Sequence, residues 1–184
     1  MLDIAIDDCS GPCADAGNVL SQYRTELEWL AYFLTGDQKL AEACVTHLRA
    51  SWGSRNDLSG EALLRRARRA TIGAAVQILS PYIAQLAPAY ESRPCLHPGH
   101  RSLSLDSLEL VSANADLLVG KMDVLCRCVL VICGMEQRPF RDAALLLGIT
   151  RTAAEAAYCA ALYSLKILLW ERCRESNGSP VLCH

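Results

Sequence analysis

The sequence lacks the excess of basic residues that marks many nucleic-acid and membrane-surface proteins. Lys and Arg total 18 against 20 Asp and Glu, so the formal net charge at pH 7 is -2. A chain with this balance has no overall electrostatic attraction to nucleic acid or to anionic lipid. Any such binding must come from a local cluster of basic side chains.

Signals for export and for membrane insertion are also lacking. The first residues read MLDIAIDD, which is acidic and has neither the basic flank nor the apolar core of a secretory signal. No apolar run reaches the ~18 residues that a membrane span requires. We therefore expect a cytoplasmic protein without a membrane partner.

The ten cysteines lack the setting of a disulfide framework, because they are scattered and several lie in apolar helical patterns. We expect reduced thiols that pack as small hydrophobic side chains. A cluster of Cys95, His97 and His100 lacks a fourth zinc ligand, and Cys126 and Cys133 share a helical face from which Cys128 points away. These arrangements predict no metal and no other cofactor.

Recognisable catalytic motifs are missing as well. The sequence contains no glycine-rich phosphate loop, no nucleophile elbow, and no paired His and carboxylate motif at useful helical spacing. We expect that the protein is not an enzyme.

Aromatic residues are scarce, at 6%, whereas hydrophobic residues make up 52% and Ala and Leu dominate. This balance favours helices over sheets. We predict an all-α protein made of two small helical domains joined by a linker. The predicted divisions are an N-terminal segment 1–22, a first domain 23–87, a linker 88–104, a second domain 105–172 and a flexible tail 173–184.

Apolar periodicity predicts three helices in the first domain. The first contains Leu27 to Leu34 and ends at the sequence TGD, where Asp37 is a candidate N-cap for the second. The third runs from about Glu61 to Leu79, and Pro81 opens a less regular stretch. Its predicted core face carries Leu63, Leu64, Ala67, Ala70, Ala74 and Ile78.

In the second domain, periodicity resumes after the linker and is interrupted at Gly120 before a further apolar helix. The expected core positions on either side are Leu105, Leu108, Ser112, Ala115, Met122, Leu125, Val129 and Ile132.

The stretch PFRDAALLLGITRTAAEAAYCAALYSL, residues 139–165, has the pattern of a helix-turn-helix. Ala144 and Ala154 are small residues where two helices would cross, Gly148 supplies the turn, and Thr150 can cap the second helix. Any helical hairpin closed by a glycine turn would fit the same spacing, so the pattern alone leaves both interpretations open.

Two stretches resemble the extracytoplasmic-function type of bacterial RNA polymerase sigma factors. VLVICGMEQRPFRDAALLLGITRTAAEAAYCAAL resembles region 4 of that family, and LAYFLTGDQKLAEACVTHLRASW resembles region 2. The resemblance covers about two-thirds of the chain. It implies a role in transcription initiation, with RNA polymerase core, promoter DNA and an anti-sigma factor as partners.

The resemblance also implies two sets of site residues. Polymerase contact falls on Asp37, Glu42, Thr46 and His47 in the region 2-like stretch. DNA contact falls on Arg65, Arg66, Arg68 and Arg69, which align with the segment that grips the minus-ten element, and on Arg151, Thr152 and Glu155 in the region 4-like stretch.

At the functional positions the chain departs from the family. The reading helix of region 4 commonly presents a lysine, a serine and an arginine, where this chain has Glu155, Ala156 and Ala157. A carboxylate repels phosphates, and alanine offers at most a contact with a thymine methyl group. The four arginines have no aromatic neighbour, and a helix face paired with acids such as Glu61 is the competing interpretation.

Two functions remain open from the sequence. One is a sigma factor-like regulator of transcription initiation. The other is a helical protein-interaction module derived from a sigma factor, which no longer binds DNA and binds a protein partner through an alanine-rich, cysteine-containing face. Burial of the segment TAAEAAYCAAL against the rest of the chain favours the second, whereas free projection of that helix keeps DNA contact open.

Overall fold

The computed structural model describes residues 21–51, 60–93, 111 and 114–177, and these residues form helices without any strand. The all-α prediction is therefore confirmed. The elements are α1 (Arg24–Thr35), α2 (Gln38–Ser51), α3 (Gly60–Glu91), α4 (Ala115–Lys121), α5 (Val124–Val129) with its π-helical continuation Leu130–Met135, α6 (Phe140–Leu147) and α7 (Arg151–Asn177).

The corner between α1 and α2 follows local rules that the sequence predicts. Gly36 ends α1 in the left-handed conformation, with φ at 71°, and its N–H donates to the Tyr32 carbonyl. Asp37 then caps α2, because its Oδ1 accepts hydrogen bonds from the N–H groups of Lys39 (2.8 Å) and Leu40 (3.0 Å). The predicted break and the predicted N-cap are both confirmed.

The predicted end of the third helix is wrong. Helix α3 continues through Pro81 and Pro88 and ends at Glu91, so residues 88–91 of the predicted linker are helical. Each proline removes one backbone donor, but both prolines face outward, and Ile83 and Ala87 beyond Pro81 are buried. Tertiary packing therefore holds the helix across both positions; residues 94–104 lie outside the described residues.

The predicted core face of α3 is only partly right. Leu63 and Ala67 are buried, whereas Ile78 is 37% exposed, and Leu64, Ala70 and Ala74 are partly buried. The helix contacts α1 and α2 at the same time as α5, α6 and α7, so its buried side is not one stripe. The additional buried positions are Thr71, Ile72, Ala75, Val76, Leu79, Ile83, Ala87 and Tyr90.

All but one of the other predicted core positions that the structure describes are buried. The spacing of apolar residues predicts an inward stripe on α1 and another on α2. The members of these stripes that are buried are Leu27, Leu30, Ala31, Leu34, Ala41, Cys44, Val45 and Leu48, whereas Leu40 on α2 is 36% exposed. In the second half, Ala115, Met122, Leu125, Val129 and Ile132 are buried, while residues 105, 108 and 112 lie outside the described residues. Helix α7 extends to Asn177, beyond the predicted start of the tail at residue 173.

The two halves of the chain share one hydrophobic core in the part of the chain that the structure describes. Helix α3 from the first half packs against α5, α6 and α7 from the second, and α1 packs against α4 and α5. The division into two domains stays a prediction, because the apolar burial among the described residues does not separate at the predicted linker.

A buried arginine joins the two halves. Arg127 lies in α5 with 7% of its surface exposed. Its Nη1 donates to the carbonyls of Val119 (3.0 Å) and Met122 (2.8 Å), while Nε and Nη2 both donate to Leu34 O at 3.3 Å. The carbonyls of Leu34 and Val119 lie in the last turns of α1 and α4, where no helical N–H can reach them. Burial lowers the pKa of Arg127.

A second buried polar contact joins the end of α3 to the start of α5. The Tyr90 hydroxyl donates to Asp123 Oδ2 and lies 3.1 Å from Cys126 Sγ. Asp123 in turn caps α5, because its Oδ1 accepts the Cys126 N–H at 2.9 Å. Burial, together with the hydrogen bond to Asp123, raises the pKa of the Tyr90 hydroxyl.

Helix α3 is long and apolar enough, by length and composition alone, to cross a membrane. This differs from the expectation that no run reaches that length. Core helices of soluble proteins pass the same test, and 39% of the apolar window is buried inside the fold. The absence of a membrane partner stays a prediction.

The close approach of Gly36 to Arg127 predicts the effect of a methyl group at that position. A Cβ on Gly36 would lie 3.0 Å from Arg127 Nη2 and 3.2 Å from Val119 Cγ1. Gly36→Ala should lower the free energy of unfolding, measured by urea denaturation, by more than the ~1–2 kcal/mol that the left-handed backbone alone costs.

Two other glycines provide matched controls. Gly148 also has a positive φ, of 65°, but a Cβ there meets nothing within 4 Å, so Gly148→Ala measures the backbone strain alone. Gly73 lies inside α3 with open space around it, and Gly73→Ala should stabilise the fold by ~0.5–1 kcal/mol. A cost at Gly36 no larger than the cost at Gly148 would show that the Arg127 contact is unimportant.

Candidate functional site

The turn between α6 and α7 is built as its sequence predicts. Gly148 adopts the left-handed conformation and its N–H donates to the Ala144 carbonyl, which also accepts the Ile149 N–H at 3.0 Å. Thr150 caps α7, because its Oγ1 accepts the Ala153 N–H at 3.2 Å. The two helices meet at a bend of 105°.

Small side chains allow α6 and α7 to approach each other. Ala144 is 6% exposed and Ala154 is fully buried, which agrees with their predicted place at the helix crossing. Next to them, the rings of Phe140 and Tyr158 pack edge to face with their centroids 5.4 Å apart. This packing fixes the orientation of α7 and therefore decides which of its side chains face outward.

The predicted base-reading positions on α7 are mostly hidden. Ala156 is 5% exposed, Ala157 is fully buried, and only 21% of the Glu155 side chain is accessible. Helix α7 packs against α3 from the first half as well as against α5 and α6. In this arrangement the alanine-rich face belongs to the core and not to a free surface.

The exposed end of α7 carries little net charge. Arg151 and Thr152 are exposed, but Arg151 Nε lies 2.7 Å from Glu155 Oε1 in an ion pair within the helix. Thr152 Oγ1 lies 3.0 Å from Thr150 Oγ1. Because the arginine is neutralised by a carboxylate one turn away, this end of α7 offers a weak attraction to phosphate. DNA contact by Arg151, Thr152 and Glu155 stays a prediction.

The four clustered arginines of α3 do not form one free basic surface. Arg68 turns toward the protein, where its Nε lies 3.0 Å from Glu136 Oε1 and its Nη1 lies 3.6 Å from Glu26 Oε1. The Nε is not aligned for a hydrogen bond to Glu136, so that contact is an ion pair. Glu136 belongs to the second half and precedes α6, so Arg68 links the two halves. DNA contact by Arg68 would require its ion pairs with Glu136 and Glu26 to break.

The remaining arginines of this cluster, Arg65, Arg66 and Arg69, are exposed on α3. Arg65 Nη2 lies 3.6 Å from Glu61 Oε1, one turn earlier, as the competing interpretation of a solvated helix face predicts. Both side chains of that pair are largely exposed, so the attraction is weak. Phosphate contact by these three residues stays a prediction.

The four residues predicted to contact polymerase lie on the outer side of α2 or at its start. Asp37, Glu42, Thr46 and His47 are all exposed. Asp37 is committed to capping α2, whereas Glu42 and Thr46 are one turn apart and therefore neighbours on the helix surface. The structure thus brings together a polar face on a helix whose opposite side is packed into the core.

The described cysteines behave mainly as core residues. Cys44, Cys126, Cys128 and Cys133 are free and buried, and burial raises the pKa of each thiol, to about 12 for the last three. The expectation of reduced thiols is wrong at Cys159, which is disulfide-bonded.

The described residues contain no group of three or more His, Cys, Asp or Glu that could hold a metal ion. The cluster of Cys95, His97 and His100 lies outside the described residues. The absence of a metal and of other cofactors stays a prediction.

The most consequential residue that sequence reasoning missed is Arg127. Its signal is an isolated charge inside the apolar run VLCRCVLVIC, residues 124–133. Such a residue must find polar partners if the run is buried, but the sequence does not say which. Its main partner outside the second half, the carbonyl of Leu34, is 93 residues away.

Comparisons with protein-family models, with curated proteins and with solved structures found no match. The sigma-factor resemblance therefore rests on the quoted stretches of sequence.

The ion pair between Arg68 and Glu136 predicts an energetic link between the halves. In a double-mutant cycle with Arg68→Gln and Glu136→Gln, urea denaturation should give a coupling free energy of ~1 kcal/mol, because both side chains are partly shielded from water. The matched cycle of Arg65→Gln with Glu61→Gln should give less than ~0.5 kcal/mol. Equal coupling in the two cycles would contradict the structural role of Arg68.

The buried thiols predict a loss of stability at alkaline pH. The native pKa values of Cys126, Cys128 and Cys133 are raised to about 12 from an ordinary value of 9.0. Above pH 9 the unfolded chain loses thiol protons that the native chain keeps, so stability is complete below pH 9 and falls as pH rises toward 12. The slope approaches ~1.4 kcal/mol per pH unit for each thiol.

Urea denaturation at a series of pH values between 8 and ~10, before most tyrosines of an unfolded chain ionise, would measure this slope. Cys128→Ala should reduce the steepness of this pH dependence by the contribution of one thiol. Val131→Ala, a truncation at a neighbouring buried position, should lower stability without changing the slope. An unchanged slope in Cys128→Ala would contradict the assignment.

Proposed function

We propose that the protein is a sigma factor-like regulator of transcription initiation, which docks on RNA polymerase core through the outer face of α2. We call the arrangement in which α7 packs against α3, α5 and α6 the closed arrangement. In this closed arrangement the protein does not read a promoter. The observation that carries this proposal is the contrast between the two surfaces that the family resemblance implies. The polymerase-facing residues of α2 are exposed, while the reading positions of α7 are largely buried.

Docking through α2 is supported by the way that helix is mounted. Its inner side is packed against α1 and α3. This packing holds the helix in place and leaves its polar outer face exposed. Glu42, Thr46 and His47 are all exposed on this helix, and Glu42 and Thr46 are neighbours on its surface. A polar patch on a supported helix suits binding to a preformed surface, because little conformational entropy is lost on contact.

Electrostatics and contact geometry argue against specific promoter reading. A good bidentate base contact contributes ~1–3 kcal/mol of discrimination, and alanines at two of the three reading positions cannot make one. The net charge of -2 provides no general attraction, and Glu155 neutralises Arg151. Any affinity for DNA would depend on Arg65, Arg66 and Arg69, whose phosphate contacts would not distinguish sequences.

A second function is favoured by the burial of α7. A chain whose reading helix is part of its core can serve as a helical protein-interaction module without any contact to DNA. Its partner would then be a protein other than polymerase core. The alanine-rich face is already packed, so this partner would also use α2. An anti-sigma factor is the partner class that the resemblance supplies, and the sigma factor-like function implies that the protein acts in the cytoplasm.

Direct binding to purified RNA polymerase core tests the proposal. The full chain should bind core in a pull-down or by biolayer interferometry, and Glu42→Arg should weaken binding about tenfold, which corresponds to ~1.4 kcal/mol. Glu91→Arg makes the same charge change at an exposed position at the end of α3 and should leave binding unchanged. Absence of core binding by the unmodified chain would leave only the second function.

The DNA side of the proposal has its own test. The unmodified chain should show no sequence-specific shift of promoter fragments, alone or with core. Glu155→Lys replaces a repelling carboxylate with a cation, and it should not create specific binding while α7 stays packed. Specific promoter binding that Glu155→Lys strengthens would show that α7 faces DNA and would contradict the closed arrangement.

A further inference from the structure

A cavity of about 360 Å³ lies between the two halves of the chain. Its size falls in the range of pockets that bind small molecules. Its walls come from α2, α3, α5 and the end of α1, and the residues that line it are Thr35, Leu40, Leu79, Tyr82, Gln85, Leu86, Val124 and Arg127.

The cavity has a buried cation on one wall. Arg127 is 93% shielded from solvent, since only 7% of its surface is exposed. Its five N–H groups make four hydrogen bonds, all to backbone carbonyls. Among the described residues no carboxylate forms an ion pair with it. Carbonyl dipoles offset part of the cost of burying a charge, but the net positive charge stays uncompensated.

The one carboxylate that acts electrostatically on Arg127 is engaged elsewhere. Asp123 contributes to the electrostatic environment of Arg127, but its Oδ2 accepts the Tyr90 hydroxyl and its Oδ1 accepts the Cys126 N–H. An anion bound in this cavity would therefore lie next to a cation that has no ion-pair partner among the described residues.

The remaining walls are largely apolar. Leu79 is almost fully buried, and Leu86 and Val124 are partly buried. Two further lining side chains, Leu40 and Tyr82, are 36% and 59% exposed. Large apolar side chains are more often buried. Gln85 supplies a neutral polar side chain on the exposed turn of α3. A ligand that matches these walls has an aliphatic body and one anionic end.

We propose that this cavity binds an aliphatic monocarboxylate, with its carboxylate against Arg127 and its chain along Leu79, Leu86 and Val124. The carboxylate accepts the Arg127 N–H that makes no hydrogen bond to a carbonyl, and the chain leaves water for the apolar walls. Because α1, α2 and α3 belong to the first half and α5 to the second, one bound molecule contacts both halves. Binding therefore stabilises the closed arrangement.

Titration of the full chain with three aliphatic probes of similar chain length tests the proposal. Decanoate, decanol and decyltrimethylammonium share an aliphatic chain and differ in head-group charge. Isothermal titration calorimetry is run below the micelle concentrations of the two ionic probes and below the solubility limit of decanol. It should show one decanoate per chain, bound at least about tenfold more tightly than decanol. Decyltrimethylammonium should bind most weakly, and decanoate should raise the melting temperature. Equal affinities for the three probes, or no saturable binding of decanoate, would overturn the proposal.

Two leucine variants test the location. Leu40→Trp enlarges a side chain on the cavity wall at a partly exposed position, and it should weaken decanoate binding about tenfold. Leu145→Trp makes the same change on α6, where the side chain is 75% exposed and outside the cavity lining, and it should have no effect. The same affinity in both variants would place decanoate elsewhere and overturn the proposal.

The charge at Arg127 is tested by the difference between probes. Arg127→Gln keeps a hydrogen-bond donor but removes the cation, so it should abolish the preference for decanoate over decanol. A retained preference in this variant would overturn the assignment. If Arg127→Gln does not fold, the three-probe titration and the Leu40→Trp comparison on otherwise unmodified chains decide the matter.

Discussion

The arrangement of the two halves depends on the guanidinium of Arg127. Helices α1 and α4 end with carbonyl groups that no helical N–H can satisfy, and the carbonyls of Leu34 and Val119 are among them. Arg127 donates to Leu34 in one half and to Val119 and Met122 in the other. A single buried side chain thus serves acceptors that are far apart in sequence, and it does so only when both halves are in place.

Polar contacts of different kinds cross the same boundary. Arg68 pairs with Glu136, and the Tyr90 hydroxyl donates to Asp123. Apolar burial holds α3 against α5 and α7 but has no directional preference, whereas these contacts require particular distances between particular atoms. The core therefore drives the association of the halves, and the polar contacts select one orientation. That orientation hides the alanine-rich face of α7 and leaves the polar face of α2 outside.

Sequence reasoning succeeded where the determinants are local. The Gly36 corner, the Asp37 cap and the Gly148 turn each involve residues within five positions of one another, and backbone rules alone decide them. It failed at the end of α3, where Pro81 suggests a boundary but burial of Ile83 and Ala87 keeps the helix intact. It also treated four neighbouring arginines alike, although Arg68 meets Glu136 only because α3 packs beside the start of α6.

The sequence by itself determined the helical class, the helix starts at Asp37 and Thr150, and the residue types available on each surface. These follow from propensity and capping, which act within a few residues. Only the tertiary structure decided that Arg127 caps two helices, that Ala156 and Ala157 are buried, and that a cavity beside a buried cation lies between the halves. Each of these depends on contacts between distant segments, and a linear pattern does not encode the partner of a buried charge.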